Sequence, residues 1–593
     1  MKLTPEQFVA QSYDYLIVGG GTAGLVLAAR LSEDEDVTVG VLEAGEDRTD
    51  DLLLSMPAGF PQTYEKPEYD WYYKTTPQEG MGGQVHGWPR GKVLGGSSMI
   101  NYQLLSMASK EDLDNFVRLG NTSLGWDDLL PYYRKFETYH PPGEDSEWPR
   151  ELSEYIDPSL RGSNGPIQIS FPGAPMSVTW MNSLWPKVCL ELGHPSALIL
   201  VTVCIRGLST RSSNVSTRPH DPRRGSSLGA FNQPLMVDPK TKTRSSSASA
   251  YYRPNASRKS LLVLTGALVT KVQLKQSFED FSAQGVEFSS GGKLYSATCN
   301  REVVLCGGVI NSPQLLELSG IGSHQILDGK VECLIGNPNV GENLRDHIGT
   351  PNGWPNPELF AKVTDNLKEL LKAYPGDTPT EREIIELEAR QIFNKTEADV
   401  QIYGVPGGCD TSNLESPLSL FGNQDTGNYM SVYAWTTRTF SRGNVHIKSA
   451  DPTEYPAIDP KYLSHPVDVE LLALAMMHFQ ELTKLDSFAS KLALGTDGKP
   501  ILMPCAAELN TMDDARKYVR KTSFTTYHPI GTCSMLPKEK GGVVDSNLLV
   551  YGTTNLRVCD ASIFPIHVQG NICSLVWASA EKGADIMKAA RKA

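Results

Sequence analysis

Tyr15-Leu16-Ile17-Val18-Gly19-Gly20-Gly21-Thr22-Ala23-Gly24, with helical composition over 23–31 and a second apolar run over 37–42 that ends in Glu43, decides the fold. Residues 16–18 have the unbroken apolar character of a buried parallel strand. Gly19, Gly21 and Gly24 then give the G-x-G-x-x-G spacing. The three glycines serve separate ends, namely a tight turn, close approach of the backbone to a pyrophosphate, and close packing of helix on strand. The helix start presents free N–H groups and the positive end of its dipole to phosphate. Glu43 falls about 20 residues on, where a carboxylate can accept from ribose hydroxyls. Strand, glycines, helix, strand and acid in register predict a βαβ dinucleotide site. The motif alone does not separate NAD from FAD.

A second informative region lies near the other end: His528-Pro529-Ile530-Gly531-Thr532-Cys533, then Asp560-Ala561-Ser562 and Gly570-Asn571. A neutral imidazole, with an ordinary pKa of about 6.5, accepts a proton near neutral pH. A carboxamide can hydrogen-bond a substrate oxygen without adding charge, so this region can do acid–base chemistry beside a bound dinucleotide. Asn571 also suits an N-cap of a helix over 572–590. Its small and apolar face (Ile572, Leu575, Val576, Ser579, Ala580, Gly583, Ile586) predicts packing on a sheet.

The 593 residues carry 55 Lys+Arg against 68 Asp+Glu, a net charge of −13. This acidity argues against nucleic acid or an anionic membrane as partner. No run of about 18 apolar residues predicts a membrane span. The polar start, residues 1–12, lacks the apolar core of a signal peptide, so an intracellular, cytoplasmic enzyme is expected, a secreted mature form being the alternative. The 10 cysteines include no C-x-x-C, and no metal site is expected. Sequons at Asn121, Asn214, Asn255 and Asn394 carry little weight without a secretion signal.

Between the two regions, residues 206–247 read as long surface loops rich in Ser, Arg and Pro. Strands are expected over 261–264, 267–274, 302–305, 543–544 and 556–558. A helix is expected over 312–318, with Pro313 at its first turn and Gly320 closing it. A solvated helix over 378–393, capped by Thr378-Pro379, and an amphipathic helix over 467–482 follow.

Four further segments are Arg90-Gly91-Lys92-Val93-Leu94-Gly95-Gly96-Ser97-Ser98 with Asn101; Gly307-Gly308-Val309-Ile310-Asn311-Ser312-Pro313-Gln314 leading to Ser319-Gly320-Ile321-Gly322; Val340-Gly341-Glu342-Asn343-Leu344-Arg345-Asp346-His347; and Ser441-Arg442-Gly443. In this order, and with the two regions above, the chain resembles the glucose–methanol–choline (GMC) flavin oxidoreductases over essentially its whole length, in particular the fungal-type alcohol oxidases and dehydrogenases. The resemblance implies an α/β (overall α+β) fold: a discontinuous Rossmann-like FAD-binding domain with an inserted antiparallel-sheet substrate domain. The FAD-binding pieces would be 1–170, 241–350 and 521–593. Residues 171–240 would supply mostly substrate-domain and loop segments, and 351–520 the substrate-binding domain.

It also implies FAD at Gly19, Gly21, Thr22, Ala23 and Gly24, with the ribose on Glu43 and Ala44 and adenine at the Val269 backbone. The isoalloxazine would lie by Val93, Gly95, Ser97, Asn101, Tyr102, Gln103 and Leu104, with Trp71, Asp560, Ala561 and Ile572 also bordering the cofactor. Some relatives bind FAD covalently through a histidine at the position of Ile100, so noncovalent FAD is expected here. Trp88 is either a frame for the ring or core. His347 is expected to serve structural hydrogen bonding and His567 to pack. The implied reaction is oxidation of a small-molecule alcohol to a carbonyl, the hydroxyl proton going to His528 with Asn571 as its partner and the hydride to flavin N5, with oxygen or a quinone-like carrier as final acceptor. The alternatives are an unusual use of the scaffold (hydroxynitrile lyase, photodecarboxylase or secondary-metabolite cyclase) and an NAD-linked dehydrogenase, against which the Leu94-Gly95-Gly96 segment and the C-terminal region both speak. Specificity would reside in 206–232 and 349–429. The sequence names neither the alcohol nor the oligomeric state.

Overall fold

The computed structural model describes residues 3–142, 155–171, 201–205, 221–225, 229–351, 360–394, 397, 400–406, 409–421, 430–479, 485–490, 496 and 509–592. The opening segment forms β1 (Ser12–Val18), α1 (Gly24–Leu31) and β2 (Val39–Glu43). β1 and β2 run parallel, and β3 (Leu261–Thr265) adds to β2 in the same sense. A Cβ on Gly24 would stand 1.9 Å from the Gly19 carbonyl oxygen. Only glycine lets α1 start that close to the end of β1.

β4 (Leu268–Ser277), β5 (Asp280–Ser290) and β6 (Lys293–Leu305) form an antiparallel meander. β6 is 13 residues long and serves two neighbours. Its first half pairs with β5, while residues from Thr298 onward pair in parallel with β1. β7 (Leu556–Val558) then runs parallel to the end of β6. The sheet order is β4–β5–β6–β1–β2–β3, with β7 also on β6. Pieces from both termini and the middle of the chain thus share one sheet; α1 packs on β1 and β2 and α2 (Gly308–Leu318) on β4, while the C-terminal helix (Cys573–Lys592), expected on a sheet, packs chiefly on α1 and the helix Trp126–Phe136.

A second, antiparallel sheet has the order Phe524–Thr525, Ile348–Pro351, Met430–Thr436, Val400–Pro406, Val201–Ile205, Gly229–Asn232. Two sheets, one mainly parallel and one antiparallel, give the mixed α/β architecture expected from the sequence. Among the described residues no helix is long and apolar enough to cross a membrane.

Several local expectations are corrected. α2 begins at Gly308, four residues before the expected start, and Pro313 sits inside it. A proline there deprives the carbonyl four residues back of its donor. That carbonyl is Val309 O, and the Thr532 hydroxyl donates to it at 2.7 Å. Gly320 closes the helix with φ +85° as expected. The helix Pro466–Phe479 is not amphipathic: 467–477 are buried all round. Its acids are consumed internally, Asp468 accepting from the Phe440 and Ser441 N–H groups and Glu470 pairing with Arg516. The helix Pro379–Ile392 keeps its Thr378 cap but buries Ile384, Ile385, Leu387 and Glu388, so it is not a solvated helix. Val543 and Val544 form no strand; Val544 makes only isolated bridges to Met535 and Val550. Asn121 is buried and closed to glycosylation. Of the loops expected over 206–247, residues 206–220 and 226–228 lie outside the described residues, as do the Asn214 sequon and parts of 349–429, and Gly229–Asn232 forms a strand instead.

Candidate active site

One large cleft, enclosing about 1680 Å³ counted with its open mouth, is lined from all these segments. Gly19, Gly21, Thr22 and Ala23 face it from the β1–α1 turn, Glu43 and Ala44 from the end of β2, and Val269 from β4. Trp71, Ser97, Asn101, Tyr102, Gln103 and Leu104 line it from the second glycine-rich region, and Asp560, Ala561, His528, Asn571 and Ile572 from the C-terminal region. Three sequence-predicted residues lie behind the wall. Gly24 is the packing glycine, Val93 is fully buried, and Gly95 holds φ +98° at the entry of a 3₁₀ turn. Trp88 is core, its indole N–H donating to the Tyr462 hydroxyl at 2.9 Å.

The site accommodates a dinucleotide. A Cβ on Gly96 would come within 2.8 Å of Gly21 Cα, so the two glycine-rich turns meet backbone to backbone beside the cleft. Gly308, with φ +80° and open space where a Cβ would be, lines it with bare backbone. The Gln103 carboxamide donates to the Pro57 carbonyl at 2.7 Å, while its buried Oε1 has no partner among the described residues. It is an acceptor held ready on the cleft wall. Glu43 is buried and accepts from the Gly20 and Gly45 N–H groups at 2.8 and 2.7 Å. Burial pushes its carboxyl up to about 7 despite those two donors. These residues fit FAD, with Glu43 placed for ribose hydroxyls. Glu43→Ala is therefore expected to weaken FAD retention by about 10²-fold, the scale of losing hydrogen bonds to a charged group. The check is flavin released on gel filtration; full retention would remove Glu43 from the cofactor site.

Asp560 is a brace. It accepts from Gly308 N–H at 2.9 Å, the Ser312 hydroxyl at 2.6 Å and Ser562 N–H at 2.8 Å. It thereby ties the turn after β7 to the start of α2. Asn101 likewise accepts from Gln103 N–H and Arg244.

His528 follows the edge strand Phe524–Thr525 and is preceded by Tyr527 at φ +63°. Its backbone N–H donates to Asp346 at 2.8 Å, and Asp346 also accepts from the Tyr462 hydroxyl at 2.5 Å and from the Thr525 hydroxyl. Arg90 donates to the Tyr527 carbonyl at 2.8 Å. Gly531 packs where a Cβ would be 2.1 Å from the Asn343 carbonyl oxygen. The Asn343–His347 segment thus holds the His528 loop in place.

The ring contacts fix the His528 tautomer. His347 Nε2 is 3.0 Å from the Thr437 carbonyl, which can only accept, so the proton of neutral His347 is on Nε2 and its Nδ1 is bare. His347 Nδ1 lies 3.2 Å from His528 Nδ1, which must then carry the N–H. Thr526 agrees: its hydroxyl donates to the His347 carbonyl and so accepts from His528 Nδ1–H at 3.0 Å. His528 Nε2 is left with a lone pair, and Asn571 Nδ2 donates to it at 3.0 Å. Burial, with the repulsion a protonated His347 would exert and the nearby Arg90 charge, holds His528 well below the ordinary imidazole range, and burial lowers His347 to about 4. Both rings are neutral at pH 7. His567 stacks on His347 with centroids 3.7 Å apart and is absent from the cleft lining, a packing position.

Asn571 does not cap the last helix, which begins two residues later at Cys573. Its Oδ1 accepts from the Ser106 hydroxyl at 2.7 Å and its amide faces His528. Sequence reasoning missed Ser106, the Thr437 carbonyl and the direct His347–His528 contact. The Asn-Leu-Arg-Asp-His motif carried the only signal for the last.

Two GMC oxidoreductase family profiles match the chain, one over residues 13–349 and one over 439–580. Dehydrogenase mpl7 of Monascus purpureus is 32% identical over 642 aligned positions, covering 98% of this chain and 97% of its own. An FAD-dependent oxidoreductase from Chaetomium thermophilum shares the fold with a TM-score of 0.78 at 25% identity, covering 98% of this chain and all of that one. Pyridoxine 4-oxidase from Mesorbium loti matches with a TM-score of 0.73 at 27% identity, covering 97% and 99%. Sequence match over both ends, shared fold and a cleft suited to FAD agree: the chain belongs to the GMC oxidoreductase family and is an FAD-binding oxidoreductase.

Proposed function

We propose that the protein oxidises the CH–OH group of a small-molecule alcohol to a carbonyl. The carrying observation is that a bare His528 Nε2 and a donating Asn571 Nδ2 stand 3.0 Å apart on the wall of the dinucleotide cleft. An alcohol hydroxyl is one donor and one acceptor. On entering it displaces the direct Asn571–His528 contact, accepting from Asn571 Nδ2–H and donating to His528 Nε2. As the carbon–oxygen bond gains double-bond character, His528 takes the hydroxyl proton at Nε2 and Asn571 holds the oxygen. FAD, when bound, supplies the hydride acceptor. Thr526 and His347 keep the opposite ring nitrogen protonated, so the imidazole cannot turn its N–H towards the substrate.

Noncovalent FAD is part of this reading. Ile100 lines the cleft with an apolar side chain that offers no nucleophile. Oxygen or a quinone-like carrier is the proposed final electron acceptor.

Anaerobic mixing of the purified yellow protein with a panel of primary and secondary alcohols tests the reading. Bleaching of the visible flavin bands, with one carbonyl product per bleached flavin, is expected. Turnover in the dark without bleaching would instead indicate a lyase or cyclase. Denaturation should release free FAD; colour that stays with the polypeptide would overturn noncovalent attachment.

A further inference from the structure

A carboxamide has two chemically opposite ends, and only one of them suits the lone pair on His528 Nε2. The hydrogen bonds behind Asn571 select that end. The Ser106 hydroxyl donates to Asn571 Oδ1 at 2.7 Å. It is itself held as an acceptor by Gln233 Nε2. Every donor in the resulting chain points the same way: Gln233 to Ser106, Ser106 to Asn571, Asn571 to His528, His528 to His347, and His347 to the Thr437 carbonyl. Aligned hydrogen bonds polarise one another, and reversing any one group breaks two contacts.

The backbone is shaped to bring Ser106 there. Gly570 holds φ +83°, and a Cβ on it would lie 2.5 Å from Ser106 Cβ. Any other residue before Asn571 would push the serine away. The Ser106 carbonyl accepts from the Ser574 hydroxyl in the first turn of the last helix, which anchors the serine from its main chain. Ser106 and Gln233 are both buried. Behind them a small cavity of about 30 Å³ is lined by Gln233, Gln569 and Arg223, room for about two water molecules. Gln233 Oε1 and both polar atoms of the Gln569 carboxamide are buried without a partner among the described residues. Water in the cavity would satisfy them and hold the Gln233 end of the chain.

We propose that Ser106, oriented by Gln233, is a positioning residue that locks the Asn571 carboxamide with its N–H towards His528 Nε2. The proposal rests on the reading of His528 and Asn571 as the pair that receives the alcohol. It adds the reason why that pair presents one donor and one acceptor.

The test uses the FAD-loaded enzyme and its Ser106→Ala variant, labelled with ¹⁵N-histidine. The His528 Nε2 resonance is identified by its loss in His528→Ala. In Ser106→Ala this resonance is expected to shift as its hydrogen bond from Asn571 is lost, and flavin reduction to slow about tenfold, the scale of one neutral hydrogen bond, with flavin content unchanged. Ser106→Thr, which keeps the hydroxyl, should restore both. A merely structural serine would lower the melting midpoint and leave the resonance alone. Gln233→Leu probes the same chain from behind, with the same sign, should Ser106→Ala fold poorly. An unmoved Nε2 resonance, or a reduction rate within twofold of the parent, overturns the proposal. The resonance is read without substrate. A parent enzyme that no alcohol bleaches therefore sinks the functional reading alone, while the spectrum still decides the role of Ser106.

Discussion

Replacing His528 by alanine is expected to slow anaerobic flavin reduction by at least about 10²-fold, the usual scale for loss of a general base, while the protein stays yellow. The size follows from the geometry. His528 Nε2 is the bare basic nitrogen beside Asn571, and its partner His347 is turned away with Nε2 committed to the Thr437 carbonyl. The pH dependence has a definite sign. The base form of His528 exists above its pKa and is lost as pH falls through it. Burial places that pKa well below 6.5. The parent's reduction rate should accordingly stay on its plateau as pH falls through 6.5 and decline only in more acidic solution. Stopped-flow absorbance measures both effects. An alanine variant that reduces at the parental rate would mean that another group takes the proton.

Glu388→Ala should cost about 3–5 kcal/mol of stability, because removing one partner of a buried ion pair strands the other charge. The Arg345 and Glu388 side chains are both fully buried and form a two-pronged pair. Arg345 also exchanges backbone hydrogen bonds with Ile530 at 3.1 and 2.9 Å, two residues beyond His528. Stranding the guanidinium therefore loosens the segment that carries the base. The double replacement Arg345→Met with Glu388→Leu should regain most of the loss, since apolar side chains fill the same space with no charge to desolvate. Denaturant midpoints report this directly. A Glu388→Ala midpoint equal to the parent's would show that the pair contributes nothing to the fold.

The parts legible in the sequence are those fixed by short-range physics. Residues 16–18 and 39–42 form strands because nothing in them prefers water. Gly19 and Gly24 stand where a Cβ meets backbone, and Gly320 where φ is positive. What escaped reading was set by distant partners. Pro313 looks like a helix start until Thr532, more than 200 residues away, covers the carbonyl it exposes. Acids at 468 and 470 suggest a wet helix face until the backbone of 440–441 and Arg516 claim them. Glu388 reads as solvated until Arg345 reaches it. Asn571 reads both as a cap and as the partner of His528; the helix starts two residues later, and the Asn571 carboxamide donates to His528 Nε2 at 3.0 Å. The proposed base, His528, could be named from the sequence because the motif around it is long. Its tautomer could not, because the Thr437 carbonyl that fixes it carries no side-chain signature.

The account turns on a neutral imidazole whose Nε2 faces the same cleft as the dinucleotide motif more than 500 residues earlier. A crystal structure of the FAD-loaded enzyme with an alcohol measures this most directly. The predicted result is the hydroxyl oxygen within hydrogen-bond reach of both His528 Nε2 and Asn571 Nδ2, with its carbon facing flavin N5. An isoalloxazine seated away from His528, or an alcohol held by other residues, would contradict it.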